Sequence, residues 1–267
     1  MTHSTPSAGQ AFPSGTVTFL FTDIEGSTRL WQEQPEAMAI VHARHDAILR
    51  EAIESNHGYV FQIVGDSFSA AFHNAVDGLN AAVKAQQLLS RMKDEGGMMN
   101  EDLSNKNSSF TPALAPGASV IHPSSLALKV RMGLHTGAAE ISKANANNPY
   151  EGYTTMASTQ RVMSAAHGGQ VLFSQTTYEL LQNNFSENIS LRDMGEHRLK
   201  DLRSPLRLYQ LVAPELEQNF PPIKSLDALP NNLPQQLTSF IGREKEVEEI
   251  KSALRPLLPS GEGLGVR

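Results

Sequence analysis

The sequence predicts an α+β fold on a ferredoxin-like βαββαβ plan, a sheet with helices on one face. Three observations carry that prediction. An apolar strand pattern at 16–23 leads into a helical stretch, a hairpin pattern with a Gly-Asp turn spans 59–72, and a helix–strand alternation with glycine stops follows. At 267 residues, with 40% hydrophobic and 19% charged side chains, the chain has room for one good-sized domain and part of another.

The first strand, Thr16 to Asp23, sets Val17, Phe19 and Phe21 against Thr18, Leu20 and Thr22, so both faces carry apolar groups. That pattern suits a central strand covered on two sides. A helix is expected from about Pro35 to Ser55, closed by His57-Gly58. Residues 59–64 and 67–72 form a hairpin turning at Gly65-Asp66. A second helix, about Ala75 to Lys93, places Val76, Leu79, Val83 and Leu89 along one stripe. From Asp94 to Ser125 the period breaks at Gly96-Gly97, Asn105 and several prolines, which predicts a solvated insertion over about 94–125.

Order resumes with a strand over Leu126 to Gly137, then a polar loop at Lys143 to Pro149. A helix over Thr154 to Ala166 stops at Gly168-Gly169, and Gln170 to Ser174 returns as a strand. Ser174 suits the N-cap of a short helix over Gln175 to Gln182. Leu191 to Leu202 and Leu206 to Val212 make a closing strand pair. Residues 1–15 read as a disordered polar leader, 16–213 as the folded domain, and 214–267 as a Pro-rich linker with a last amphipathic piece.

Net charge of −6 offers no basic footprint for nucleic acid. No stretch reaches the length of apolar residues needed to cross a bilayer, and the leader lacks the apolar core of a signal peptide. Absence of cysteine excludes disulfides and thiolate metal sites and fits a cytoplasmic location.

Chemistry concentrates at Asp23 and Asp66, each at the edge of an apolar strand pattern. Two carboxylates on rigid strand ends are what a pair of divalent cations needs to grip a nucleoside triphosphate. His42 and His45 read as helix-surface histidines, and His135 and His167 as structural.

Four motifs occur in order: Thr22-Asp23-Ile24-Glu25-Gly26-Ser27-Thr28, Val64-Gly65-Asp66, Arg131 to Gly137 and Arg161 to Leu172. Together, over roughly residues 15–213, they strongly resemble the class III adenylate/guanylate cyclase catalytic domain. Leu233 to Glu244 resembles the lead-in of a signalling NTPase often fused to such cyclases, and no Gly-Lys-Ser/Thr follows before Arg267, so the tail reads as a truncated remnant.

The resemblance implies a nucleotidyl cyclase that converts ATP or GTP to the 3′,5′-cyclic nucleotide and pyrophosphate. Two ions, Mg²⁺ or Mn²⁺, would lie between Asp23, Asp66 and the backbone carbonyl of Ile24. The turn Glu25, Gly26, Ser27, Thr28 opens a helix in the family, and its backbone amides would hold phosphate oxygens. The other half of the site would come from the partner in a head-to-tail homodimer, where Arg161 would stabilise charge on the phosphates. There the match decays: the purine-reading positions fall at Gln62 and Tyr150, and the ribose-orienting asparagine is Ala157. These departures support an alternative, a cyclase-like dimerisation or nucleotide-binding module of low or no activity.

Overall fold

Strand β1 (Gly15–Ile24) takes the centre of the sheet because neither of its faces tolerates water. Leu20 and Ile24 enter one hydrophobic cluster; Val17, Phe19 and Phe21 enter another on the opposite side. The computed structural model describes residues 12–102, 126, 128–141, 149–151, 153–181, 184, 188–228 and 249. The chain divides into two units, Met1–Leu229 and Pro230–Arg267.

After β1 come α1 (Ser27–Glu33), α2 (Pro35–Glu54), the hairpin β2 (Tyr59–Val64) and β3 (Ser67–Phe72), and α3 (Ala75–Asp102). Then follow β4 (Val130–Ile141), β5 (Tyr150–Glu151), α4 (Tyr153–Ala165), β6 (Val171–Ser174), α5 (Gln175–Leu181), β7 (Ser190–His197) and β8 (Leu206–Val212). The strands order as β2-β3-β1-β4-β6-β8-β7, with β5 paired to β4. The first four are all antiparallel neighbours, the βαββαβ arrangement, and β6 adds parallel to β4.

Helices α2 and α3 cover the face of β1 that carries Leu20, burying Met38, Leu49, Ile53 and Leu79. The expectation of helices on one face is corrected by α4, whose Met156 and Met163 cover Phe19 and Phe21 from the other side. Both faces of β1 are apolar, so a single helical layer would leave one of them wet.

Glycines in β4 explain how closely α4 seats. A Cβ at Gly133 would lie 2.3 Å from the backbone nitrogen of Met163, and one at Gly137 would lie 2.7 Å from Thr155 Oγ1. Thr155 Oγ1 itself donates to the Ala138 carbonyl at 2.7 Å, tying the helix start to the strand.

Several boundaries differ from the sequence reading: β4 runs Val130–Ile141 instead of Leu126 to Gly137, and β7 ends at His197 instead of Leu202. Helix α3 continues through Gly96-Gly97 to Asp102, past the predicted break; the rest of the expected insertion, 103–125, lies outside the described residues. The leader ends before Phe12, whose ring packs 5.4 Å from that of Tyr59; residues 1–11 lie outside the description. Residues 214–228 dock on the domain, with Ile223 only 3% exposed beside Leu172 and Leu208. The polar loop predicted at 143–149 is described only at Pro149, and the amphipathic piece and NTPase-like tail only at Glu249.

Candidate active site

Register brings the two aspartates together. Asp23 lies opposite Arg131 on β4, and the β1–β3 pairing carries Ser67 to its other side. Arg131 Nε donates to Asp23 Oδ2 at 2.9 Å, Arg131 Nη2 donates to the same oxygen, and Ser67 Oγ donates to Asp23 Oδ1 at 2.9 Å. The tight turn at Gly65 (φ +60°) aims Asp66 back at β1, where its Oδ2 accepts the Ile24 amide at 3.0 Å. The Asp66 carboxylate therefore sits on the residue next to Asp23.

A carboxylate offers about four lone-pair sites. Three protein donors occupy Asp23 and one occupies Asp66, so acceptor capacity remains on both among the described residues. Asp23 has a cationic partner and Asp66 has none in that set. Hard oxygen donors with spare capacity and residual negative charge fit a divalent cation such as Mg²⁺ or Mn²⁺.

The turn after β1 is held from three sides. Gly26 adopts a left-handed conformation (φ +75°), and the Glu25 amide donates to the Lys129 carbonyl at 2.8 Å. Glu25 Oε2 accepts the Gly168 amide at 3.0 Å, while Lys224 Nζ donates to Oε1 at 2.5 Å. Burial alone would raise the Glu25 pKa; the Lys224 hydrogen bond, the Gly168 amide and nearby positive charge outweigh it and hold the carboxyl below its ordinary value. The expectation that the amides of this turn hold phosphate oxygens is met by an amide already in use at Glu25, which donates to Lys129, while the Glu25 carboxylate serves as a tether. Gly26, Ser27 and Thr28 remain as the turn into α1.

The predicted partner-contributed residues lie on β2, β5 and α4. The β2–β3 register shifts between Val60 and Gln62, which puts half-buried Gln62 opposite Ser69 on the sheet face of Phe61 and Ala71. Ala157 is exposed on α4, and Arg161 lies one turn further along. Arg161 Nη2 donates to Asp201 Oδ2 at 2.5 Å, an exposed pair with Asp201 in a left-handed turn (φ +62°). Exposed pairs contribute at most about 1 kcal/mol, so a more highly charged anion can compete for this guanidinium.

Tyr150 is a correction. It is 2% exposed, its ring 4.9 Å from Phe61 and 5.1 Å from Phe19, and burial pushes its hydroxyl pKa up. It packs the sheet instead of facing an open base pocket. His45 is likewise buried, edge-on to Phe68 at 5.8 Å, with Nδ1 3.0 Å from Asp46. The reading of His42 and His45 as two surface histidines holds for neither, since His42 is half-buried under Trp31.

The family model for the adenylate and guanylate cyclase catalytic domain matches residues 10–213. The chain belongs to the class III adenylate/guanylate cyclase family. An uncharacterized protein of Mycobacterium tuberculosis is 34% identical over 239 residues, covering 88% of this chain and 70% of its own length. A receptor-type adenylate cyclase of Trypanosoma brucei brucei is 30% identical over 210 residues; the match spans 75% of this cyclase homologue and 17% of the receptor. A solved structure of a Trypanosoma brucei adenylate cyclase in its monomeric state aligns with TM-score 0.63 and 29% identity, covering 82% of this chain and 98% of that one. Among the described residues, no helix of the cyclase domain is long and apolar enough to cross a membrane.

Sequence reasoning missed Ser67, Arg131, Asp201 and Lys224 as partners of site residues. Arg131 stood inside a motif, but only the register β1–β4 reveals that it faces Asp23.

The same motif carries a pH signature. His135 Nδ1 lies 2.8 Å from Ser174 Oγ, and burial pushes the imidazole down to about 4 from 6.5. The folded cyclase domain therefore keeps His135 neutral while the unfolded chain takes up a proton below its ordinary pKa. Stability is full above about pH 6.5 and falls as pH drops toward 4, by about 3 kcal/mol from this residue. Urea midpoints at pH 7 and pH 4.5 should fall further apart in wild type than in His135→Gln; equal losses would remove His135 as the cause.

Proposed function

We propose that the domain is a nucleotidyl cyclase acting on ATP or GTP. The observation that carries this reading is the convergence of Asp23 and Asp66 at one strand end with acceptor capacity left on both. Asp23, Asp66 and the Ile24 carbonyl would hold two divalent ions, Mg²⁺ or Mn²⁺, which when bound neutralise phosphate charge and favour ionisation of the ribose 3′-hydroxyl.

The protein's own work is positioning. Gly26, Ser27 and Thr28 present the turn to the phosphates, and Arg131 and Ser67 fix the Asp23 carboxylate. The 3′-oxygen bonds to the α-phosphorus, the bond to the β-phosphate oxygen breaks, pyrophosphate leaves, and the 3′ proton passes to water. A second copy, arranged head to tail, supplies Arg161 to the phosphates and Gln62 to the purine edge. An arginine in that role leaves Asp201 for a more highly charged partner.

Ala157 favours a second reading, a nucleotide-binding module of low turnover. It is exposed on α4 with no polar atom to orient a ribose, and loss of one preorganised donor costs about 10²–10³ in rate.

The test is product formation. Purified protein is incubated with ATP or GTP and Mn²⁺, and cyclic nucleotide is quantified against the Asp23→Ala/Asp66→Ala double variant. Product above that background is expected. Product at the background level, with nucleotide binding retained, would replace the enzyme reading with the module reading.

A further inference from the structure

The segment that follows β8 reads as linker, yet it reaches the turn that continues from the proposed metal ligands Asp23 and Ile24. Pro214 to Ala228 lies beyond the residues matched by the family model. Its anchoring is continuous. The Gln218 carbonyl accepts Gln210 Nε2 at 2.7 Å and Arg192 Nη1 at 3.0 Å. His167 Nε2 lies 3.0 Å from the Pro222 carbonyl, and Ile223 is buried against Val162, Leu172 and Leu208. The Leu226 amide donates to the Arg198 carbonyl at 2.9 Å, and Asp227 accepts the Arg198 amide at 2.8 Å.

Lys224 is the point where this strap meets the site. Its amide donates to the Ala165 carbonyl at 3.1 Å, and its Nζ donates to both the Ala166 carbonyl at 3.2 Å and Glu25 Oε1 at 2.5 Å. Two anchors on the end of α4 hold the ammonium group in place. A lysine so fixed loses less conformational freedom on pairing than one on an open surface.

We infer that residues 214–228 form a strap completing the site, with Lys224 as a positioning residue that holds Glu25 and, through it, the turn continuing from Asp23 and Ile24. The inference rests on the cyclase reading for what the turn does, but not for the contact itself. Charge supports it. Asp23, Glu25 and Asp66 are three carboxylates around one turn; Arg131 matches the first and Lys224 the second. Without Lys224, Glu25 presents an uncompensated negative charge beside the turn proposed to take the phosphates. Affinity for a polyanionic substrate then falls, while the groups acting on the reacting bond stay where they were.

Lys224→Met and Lys224→Arg separate the possibilities in the full chain. Hydrogen exchange is read at residues 24–28 and at the Gly168 amide, which Glu25 accepts. Lys224→Met should speed exchange at both places about tenfold and leave β4 and β6 at wild-type rates; Lys224→Arg should restore protection. In the cyclase assay, KM for the metal–nucleotide should rise about tenfold in Lys224→Met with kcat within about twofold, and return with arginine. Unchanged exchange at 24–28 overturns the strap, as does a fall in kcat with KM unchanged. If no variant and no wild-type protein makes product, the cyclase reading fails by itself, and the exchange data still decide the strap.

Discussion

Asp66→Ala is expected to lower cyclic-nucleotide formation by about 10³-fold or more while leaving the melting temperature within a few degrees of wild type. Removing a ligand from a metal pair forfeits several kcal/mol of transition-state charge stabilisation, and each 1.36 kcal/mol is tenfold in rate. The structural cost is small, because Asp66 makes one hydrogen bond among the described residues, to the Ile24 amide. Asp23→Ala should lose as much activity but behave differently in a melt. Arg131 is 24% exposed and donates two hydrogen bonds to Asp23, so alanine strands a half-buried guanidinium. That leaves an added penalty of about 1–3 kcal/mol, or several degrees for a domain of this size. Chromatographic product assays paired with circular-dichroism melts read both quantities. Retained product in Asp66→Ala would remove that residue from the metal set, and equal melting temperatures would show the Arg131 pairing to be dispensable.

What the sequence could reveal follows from the range of the interactions. The hairpin at 59–64 and 67–72 was legible to the residue because two apolar runs joined by a Gly-Asp turn are a local signal. The central place of β1 was legible for the same reason, since two apolar faces demand neighbours on both sides. The position of α4 was not. Its seat depends on glycines at 133 and 137 meeting residues 18 to 30 positions later, a match of surfaces that no window of residues displays. Gly96-Gly97 argued for a break because glycine costs about 1 kcal/mol in a helix, yet α3 runs through them.

The candidate site divides along the same line. Motifs singled out Asp23, Asp66 and Arg161 as candidates, whereas the residues that contact them were not legible. Arg131 reaches Asp23 across 108 residues and Lys224 reaches Glu25 across 199. The prolines around 221–222 argued for a linker, and correctly describe a backbone without regular hydrogen bonding. They say nothing of Ile223, whose burial turns that stretch into a docked strap. Tyr150 was placed by the resemblance alone, beside the polar loop at 143–149. Its aromatic ring found a better partner in Phe19 and Phe61 than in solvent.

Gly133→Ala is expected to destabilise the domain by about 3 kcal/mol or more, the upper end of what an inserted methyl costs in a packed interior. The added Cβ would lie 2.3 Å from the Met163 nitrogen, 2.5 Å from its Cα and 2.7 Å from its Cβ. Two of those atoms are backbone within α4, so no rotamer change relieves the overlap and the whole helix must lift from β4. Gly137→Ala meets a different neighbour, the Thr155 side chain, which can turn aside by giving up its bond to the Ala138 carbonyl. That substitution should cost about 1 kcal/mol. Urea midpoints read the contrast: Gly133→Ala below Gly137→Ala, and both below wild type. The order matters for the site as well as for stability, because Arg161 precedes Met163 by two residues on the same helix. A helix displaced at Met163 carries Arg161 with it, so Gly133→Ala should lose activity even at temperatures where it remains folded, whereas Gly137→Ala, which leaves the helix axis in place, should keep it. If the two glycines prove equally tolerant, the close seating of α4 does not control the geometry of Arg161, and positioning must come from the Asp201 contact instead.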